Sequence, residues 1–204
     1  MNFNNGKTMK KYLILATLIV APFYAQSLDV SGGITVGSDY LWRGTSQKGS
    51  QAISAGLEAN HKGWYTGAWV SEVDYGDKSD YEYDFYTGYS YDINDAMAID
   101  VGVIQYNFNN EPDNQLEEWY VGGTVYGFSA YYWQDLDNSD NHFAEYSYAV
   151  PLDEVSISFF WQDPNDFYGI NIGKDFENYT ITATYGEGRD DNKSAGGISV
   201  AYNF

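Results

Sequence analysis

From residue 28 to residue 44 the chain alternates. Leu28, Val30, Ile34, Val36, Tyr40 and Trp42 fall on even positions, and Asp29, Ser31, Gly33, Thr35, Gly37, Asp39 and Arg43 on odd ones. A period of two marks a strand whose faces meet different surroundings. The pattern recurs at Tyr65, Trp69, Val73 and Tyr75, then at Tyr81, Tyr83, Phe85, Tyr89 and Tyr91. It returns at Trp119, Val121 and Val125, at Tyr146, Tyr148 and Val150, and at Ile157, Phe159 and Trp161. Tyr168, Ile170 and Ile172 follow, and Ile198, Val200, Tyr202 and Phe204 close the chain. Helical spacing is not sustained anywhere after residue 27.

Short turn clusters such as "NHKG" (60–63) and "DINDA" (92–96) alternate with more acidic connections such as "YGDKSD" (75–80) and "DLDNSDN" (135–141). Counting "TSQKGS" (45–50) as the first connection gives eleven, and so twelve strands. At about 15 residues per strand and connection, the strands run to about 9–12 residues, enough to cross a membrane when tilted. The fifth strand changes phase. Ile99, Val101 and Val103 point one way, then Ile104, Tyr106 and Phe108 the other, which predicts a β-bulge near 103–104.

Many amphipathic strands at even spacing fit a soluble β-sandwich or a membrane barrel. A sandwich packs aliphatic side chains between its sheets. Here aromatics reach 19%, with 21 Tyr and 21 Gly, and the second face is rich in Gly, Ser, Thr and Asn with embedded charges. Tyr and Trp suit a boundary that is apolar on one side and wet on the other. Candidate interface aromatics lie near the predicted strand ends: Tyr40, Trp42, Trp64, Tyr65, Tyr75, Tyr91, Trp119, Trp133, Trp161 and Tyr202. Hydrocarbon offers no partner to backbone N–H or C=O groups, so a sheet in lipid must close on itself. The reading is therefore all-β: a closed antiparallel transmembrane β-barrel of about 12 strands, with short periplasmic turns and short acidic extracellular loops. An even strand count places both chain ends in the periplasm.

The first residues read as an export signal. Lys7, Lys10 and Lys11 precede the apolar run 12–23, and the small residues at 25–27 allow cleavage after Ala25 or Ser27. Residues 1–25 form the expected signal peptide and 26–204 a single barrel domain. The formal charge is −19, and loss of the three lysines makes it more negative still. That charge excludes nucleic acid and anionic membrane surfaces as partners. The absence of Cys excludes disulfides, thiol catalysis and iron–sulfur clusters.

The stretches "SDYLWRGTSQ" (38–47), "GWYTGAWVSEVDY" (63–75), "YEYDFYTGY" (81–89), "DVGVIQYNF" (100–108) and "EEWYVGG" (117–123) resemble the TorF family of porins, a proteobacterial family that also carries the Gcw_chp label. The usual family opening is closer to S-D-Y-R-F-R-G-x-S-Q; here Leu41 and Trp42 replace its Arg and Phe. The resemblance implies an outer-membrane barrel and names no solute. It is also consistent with the terminal "ISVAYNF", whose Phe204 is the expected signal to the barrel assembly machinery.

Parity assigns the lumen. Asp39 and Arg43 come from the first strand, Glu58 from the second, Glu72 and Asp74 from the third, and Glu82 and Asp84 from the fourth. Asp100, Glu118 and Glu145 come from the fifth, sixth and eighth. Arg43 is the one base placed inside. It either faces a carboxylate cluster across a constriction or pairs with Asp39, Glu72 or Asp84 as a strut in a filled lumen. An acidic lumen favours cations or neutral molecules over anions. Three functions are weighed: a small porin, a non-transporting structural or surface-interaction barrel with a plugged lumen, and a soluble exported binding sandwich. Lipid and lipopolysaccharide are the expected surroundings.

No catalytic motif is present. Asp135, Asp137 and Asp140 lack the Gly and distal Glu of a calcium-binding hand. His61 and His142 are about 80 positions apart with no third ligand in view. No metal or cofactor is expected.

Overall fold

The computed structural model describes residues 28–76, 78–110, 115–189 and 194–204. The predicted signal peptide lies outside them. Fourteen strands are present among the described residues, and twelve of these close a barrel. The barrel strands are β1 (Asp29–Gly37), β4 (Ala52–His61), β5 (Trp64–Glu72), β6 (Tyr81–Asn94), β7 (Met97–Phe108), β8 (Leu116–Val125), β9 (Phe128–Asp135), β10 (His142–Val150), β11 (Ser156–Asp163), β12 (Phe167–Phe176), β13 (Tyr179–Gly188) and β14 (Ser194–Asn203). Two short strands between β1 and β4, β2 (Leu41–Trp42) and β3 (Thr45–Ser46), pair only with each other.

Each barrel strand pairs antiparallel with its neighbour in sequence, and β14 closes on β1 from Gly33–Asn203 to Gly37–Ser199. Phe204 adds the last rung: its N–H donates to the Gly32 carbonyl and its carbonyl accepts from the Gly32 N–H, both at 3.0 Å. Its ring is exposed on the outside.

The exterior is a band of exposed apolar side chains, including Val30, Ile34, Val36, Ile53, Leu57, Val70, Phe85, Val101, Val121, Phe159, Ile181 and Val200. Among the described residues no helix is long and apolar enough to cross a membrane; the strands carry the apolar face. Two-residue turns Lys62–Gly63 and Tyr126–Gly127 join strands at the end that also holds both termini, with positive φ at all four residues. That is the geometry of the type I′ turns that match strand twist. The opposite end carries the longer connections.

Two expectations are corrected here. β1 stops at Gly37 instead of running to residue 44. A Cβ on Gly37 would lie 2.8 Å from the Asp39 carbonyl oxygen, so the chain turns tightly there and leaves the wall. The expected bulge near 103–104 is absent: β6 and β7 pair without interruption from Glu82–Phe108 to Asp92–Ala98, and the irregularity lies between Asp92 and Asn94. The phase is constant. Ile99, Val101 and Val103 face out, while Ile104, Tyr106 and Phe108 face in, because this part of the lumen is itself apolar.

Candidate functional site

The apolar part of the lumen exists because the first long connection folds into it. Residues 38–51 turn inward and form the β2–β3 hairpin, in which Trp42 pairs with Thr45 across Arg43 and Gly44. Both turn residues have positive φ, 49° and 75°, as a type I′ turn demands. Gly44 suits that geometry, and a Cβ there would also meet the Phe167 ring at 2.7 Å. Arg43 adopts it against its preference, which costs about 1–2 kcal/mol.

The contacts of Arg43 offset that strain. Its guanidinium donates two hydrogen bonds to Glu118 on β8, at 2.9 Å to Oε1 and 2.6 Å to Oε2. Such bidentate pairs are among the stronger charge-assisted contacts. Glu118 is fully buried and also accepts from the Tyr106 hydroxyl at 3.1 Å. The Arg43 Cζ lies 4.4 Å from the Trp42 ring centroid, 4.2 Å from Phe143 and 5.8 Å from Trp133. The cation thus sits in an aromatic cage. Asn165 Nδ2 donates to the Arg43 carbonyl at 3.0 Å. One residue therefore ties the hairpin to β8, β9, β10 and the β11–β12 connection, and through Glu118 to Tyr106 on β7.

The hairpin stem is fixed as well. Asp39 Oδ1 accepts from the backbone N–H groups of Tyr40 and Gly49, at 2.8 and 2.9 Å. The Asp74 N–H donates to the Gln47 carbonyl at 2.8 Å, and the Tyr75 hydroxyl bonds Gln47 Oε1. Tyr40 packs edge-on against Trp69 at 5.1 Å. Burial raises the Tyr40 hydroxyl well above the usual tyrosine range, with Glu82 and Asp84 adding to it. Burial and the same carboxylates push Tyr75 up to about 12. Both hydroxyls therefore stay protonated.

Toward the terminal end, the lumen is crossed by a tyrosine–carboxylate network. The Tyr65 hydroxyl donates to Asp100 at 2.7 Å and lies 2.5 Å from the Tyr120 hydroxyl. The Tyr86 hydroxyl donates to Glu58 at 3.1 Å. These rings lie flat because each is paired across strands with a glycine: Tyr65 with Gly88, Tyr86 with Gly67, Tyr120 with Gly102, and Tyr131 with Gly122. A Cβ on any of the four glycines would collide with its tyrosine ring.

The other half of the lumen is different. Between the inserted segment and β13, β14, β1 and β4 lies a cavity of about 200 Å³, lined by Thr35, Ser54, Ser71, Thr184 and Ser199 with Asp39 and Tyr40. Its wall is made of small residues and hydroxyls.

Of the expected lumen residues, Glu58, Glu82, Asp84, Asp100, Glu118 and Glu145 point inward, and Gln162 Nε2 donates to Glu145 at 2.7 Å. Asp39 and Arg43 are inside too, but on the inserted segment rather than on β1. Three expectations fail. Glu72 lies on the outer face, where its Oε2 accepts from the Ile53 N–H at 2.9 Å. Asp74 lies exposed in the β5–β6 connection and accepts from the Gly76 N–H. Arg43 pairs with Glu118, not with Asp39, Glu72 or Asp84. The β5 phase was misassigned because Tyr65, Trp69 and Val73 look lipid-facing until the inserted hairpin supplies an apolar interior.

Five of the expected interface aromatics move inside for the same reason. Tyr40 and Trp42 belong to the hairpin, Trp42 packing edge-on against Tyr106 at 5.7 Å. Tyr65 joins the tyrosine network, Trp133 the Arg43 cage, and Tyr75 covers the mouth against Phe108. Trp64, Tyr91, Trp119, Trp161 and Tyr202 do face outward near strand ends. Sequence reasoning missed the outward Tyr126, Phe128, Phe176 and Tyr179 at the terminal end; their places beside two-residue turns were the signal.

A closed antiparallel barrel with an apolar exterior, a polar and acidic lumen and an inward-folded first connection defines a porin-like barrel. The chain belongs to the family described as "Bacterial protein of unknown function (Gcw_chp)", whose model matches residues 24–202. Among curated proteins none matches the sequence. Among solved structures, the "KdgM porin" is similar, with a TM-score of 0.62 at 11% identity, covering 85% of this chain and 99% of that one. The "KdgM porin in complex with disordered oligogalacturonate" gives a TM-score of 0.61 at 10% identity, covering 86% of this chain and 98% of the other. At such identity the likeness shows the fold alone.

Proposed function

We propose that the protein is an outer-membrane channel for small neutral or cationic solutes, with its termini in the periplasm and its longer connections outside. The observation that carries this reading is the charge of the lumen. Glu58, Asp100 and Glu145 face inward without an ion pair among those resolved, while Arg43 is already neutralised by Glu118. A low-dielectric wall lined with one sign of charge concentrates counter-ions and repels co-ions. The related KdgM structure contains an oligogalacturonate, a polyanion. This lumen is suited to the opposite charge, so the shared fold does not carry that ligand across. Bilayer reconstitution under a potassium chloride gradient tests the reading. The expected reversal potential is cation-selective; anion selectivity overturns it.

The inserted hairpin favours a second reading, a barrel closed at rest that serves a structural or surface role. Absence of conductance steps in the wild type, with steps in Arg43→Ala, supports that reading. Lipopolysaccharide is the proposed neighbour of the outer loops. The β14 strand ending in Phe204 is the proposed contact with the assembly machinery.

A further inference from the structure

The two sides of the lumen use their polar groups differently. On one side these groups are engaged with each other: Tyr65 with Asp100, Tyr86 with Glu58, and Arg43 with Glu118. The hairpin fills the space there, with Trp42 and Arg43 against Tyr106 and Phe143. On the other side the strands turn small hydroxyl residues inward. Ser71 pairs across strands with Ser54, and Ser54 with Thr35, while Ser199 pairs with Thr182. The Ser71 hydroxyl is taken up by the Glu72 carbonyl at 3.2 Å, and the Thr184 hydroxyl by Asn171 at 2.8 Å. Thr35, Ser54 and Ser199 make no side-chain hydrogen bond to another of the described residues. All three are half-buried and line the cavity of about 200 Å³. Asp39 is the one acid in its lining, and no base lines it. Asp39 Oδ1 already accepts from two backbone N–H groups.

We propose that solutes cross the barrel off-centre, between the inserted segment and the β13–β14–β1–β4 wall, and that Thr35, Ser54 and Ser199 select small uncharged polyols and sugars there. The inference rests on the channel reading and narrows it to a route and a solute class. A hydroxyl both donates and accepts, so three unengaged hydroxyls suit a molecule that presents donors and acceptors without charge. Pockets for drug-sized ligands measure about 300–1,000 Å³; this one admits a smaller molecule. A sugar in so narrow a gap sheds part of its water, and an unmade hydrogen bond is costly. The wall hydroxyls take the place of that water. A potassium ion is small enough to keep its water and depends on them less.

Swelling of phospholipid vesicles carrying the full-length barrel in isotonic glucose, measured beside conductance in potassium chloride, tests the proposal. Thr35→Val/Ser199→Ala removes two hydroxyls without adding bulk to the gap. Glucose swelling should fall about threefold or more, the scale of a lost hydrogen bond, with potassium conductance nearly unchanged. Ser199→Leu fills the gap and should lower both. Ser129→Leu, facing inward from β9 on the opposite wall, should lower neither. Potassium conductance without glucose swelling in the wild type overturns the solute class and leaves the channel reading standing. Swelling untouched by the wall variants, or lowered equally by Ser129→Leu, overturns the route. An equal fall of swelling and conductance in Thr35→Val/Ser199→Ala overturns selection by the hydroxyls. Absence of both signals in the wild type rejects the channel reading and the proposal with it. Should Ser199→Leu lack the gel shift of a folded barrel, Thr35→Val/Ser199→Ala decides, since neither hydroxyl holds a bond within the fold.

Discussion

Arg43 and Glu118 stand 75 positions apart in sequence and meet in a two-pronged ion pair inside the barrel. The pair holds the first connection against the far wall. Removing one partner strands the other charge in a dry aromatic cage, which costs about 3–5 kcal/mol, whereas removing both together costs far less. Arg43→Ala and Glu118→Gln should each lower the urea midpoint of the reconstituted barrel. Arg43→Met/Glu118→Leu should recover most of the loss. A loss in the double variant equal to the sum of the two single losses would show that the pair is not coupled. In bilayers the single variants should give larger conductance steps, since the hairpin loses its anchor.

The hairpin turn makes a second demand. Gly44 and Gly49 both have positive φ, but a Cβ at Gly44 strikes the Phe167 ring, while at Gly49 the nearest atom is Ser46 Oγ at 3.9 Å. Gly49→Ala should therefore lose only the left-handed backbone term, about 1–2 kcal/mol. Gly44→Ala should lose clearly more. Replacing Phe167 by Leu in the Gly44→Ala background should narrow the difference. Denaturant unfolding of the three variants checks the order.

Strand number, closure and the outer face were legible in the sequence because lipid imposes a strict alternation on every strand. The inserted hairpin was not. Tyr40, Trp42 and Arg43 continue the period of two past Gly37, and nothing local distinguishes a strand in the wall from one lying inside it. The error then spread. With the hairpin placed in the wall, Trp69 and Trp133 had no apolar interior to face and were sent to the lipid, and the apolar run Ile104–Tyr106–Phe108 demanded a bulge. The carboxylates fared better: Glu58 lies between Leu57 and Ala59 and Asp100 between Ile99 and Val101, so only one side was open to them. The Arg43–Glu118 pairing was beyond sequence reasoning because it depends on tertiary placement.

The tyrosine network gives a third prediction. Gly102 is covered by the Tyr120 ring and Gly122 by the Tyr131 ring, while Gly197 faces the cavity with only Ser38 Oγ near its Cβ position, at 3.2 Å. Gly102→Ala and Gly122→Ala should each destabilise the barrel by about 1–3 kcal/mol, the usual cost of overpacking. Gly197→Ala should be tolerated. If all three behave alike in thermal unfolding, the rings do not lie on their glycines as the structure has them.

Membrane embedding makes the sharpest demand on the exterior. Leu57 lies mid-strand in β4 and is 52% exposed, whereas Val125 closes β8 beside a turn and is 45% exposed. In a soluble barrel an arginine at either site would be indifferent. In a bilayer the effect depends on depth: about 2–4 kcal/mol at the midplane and about 0–1 kcal/mol near the interface. Leu57→Arg should therefore destabilise the protein in phospholipid vesicles far more than Val125→Arg. Unfolding by denaturant in vesicles measures both. Equal and small effects would place the apolar belt outside the hydrocarbon and remove the basis for a membrane channel.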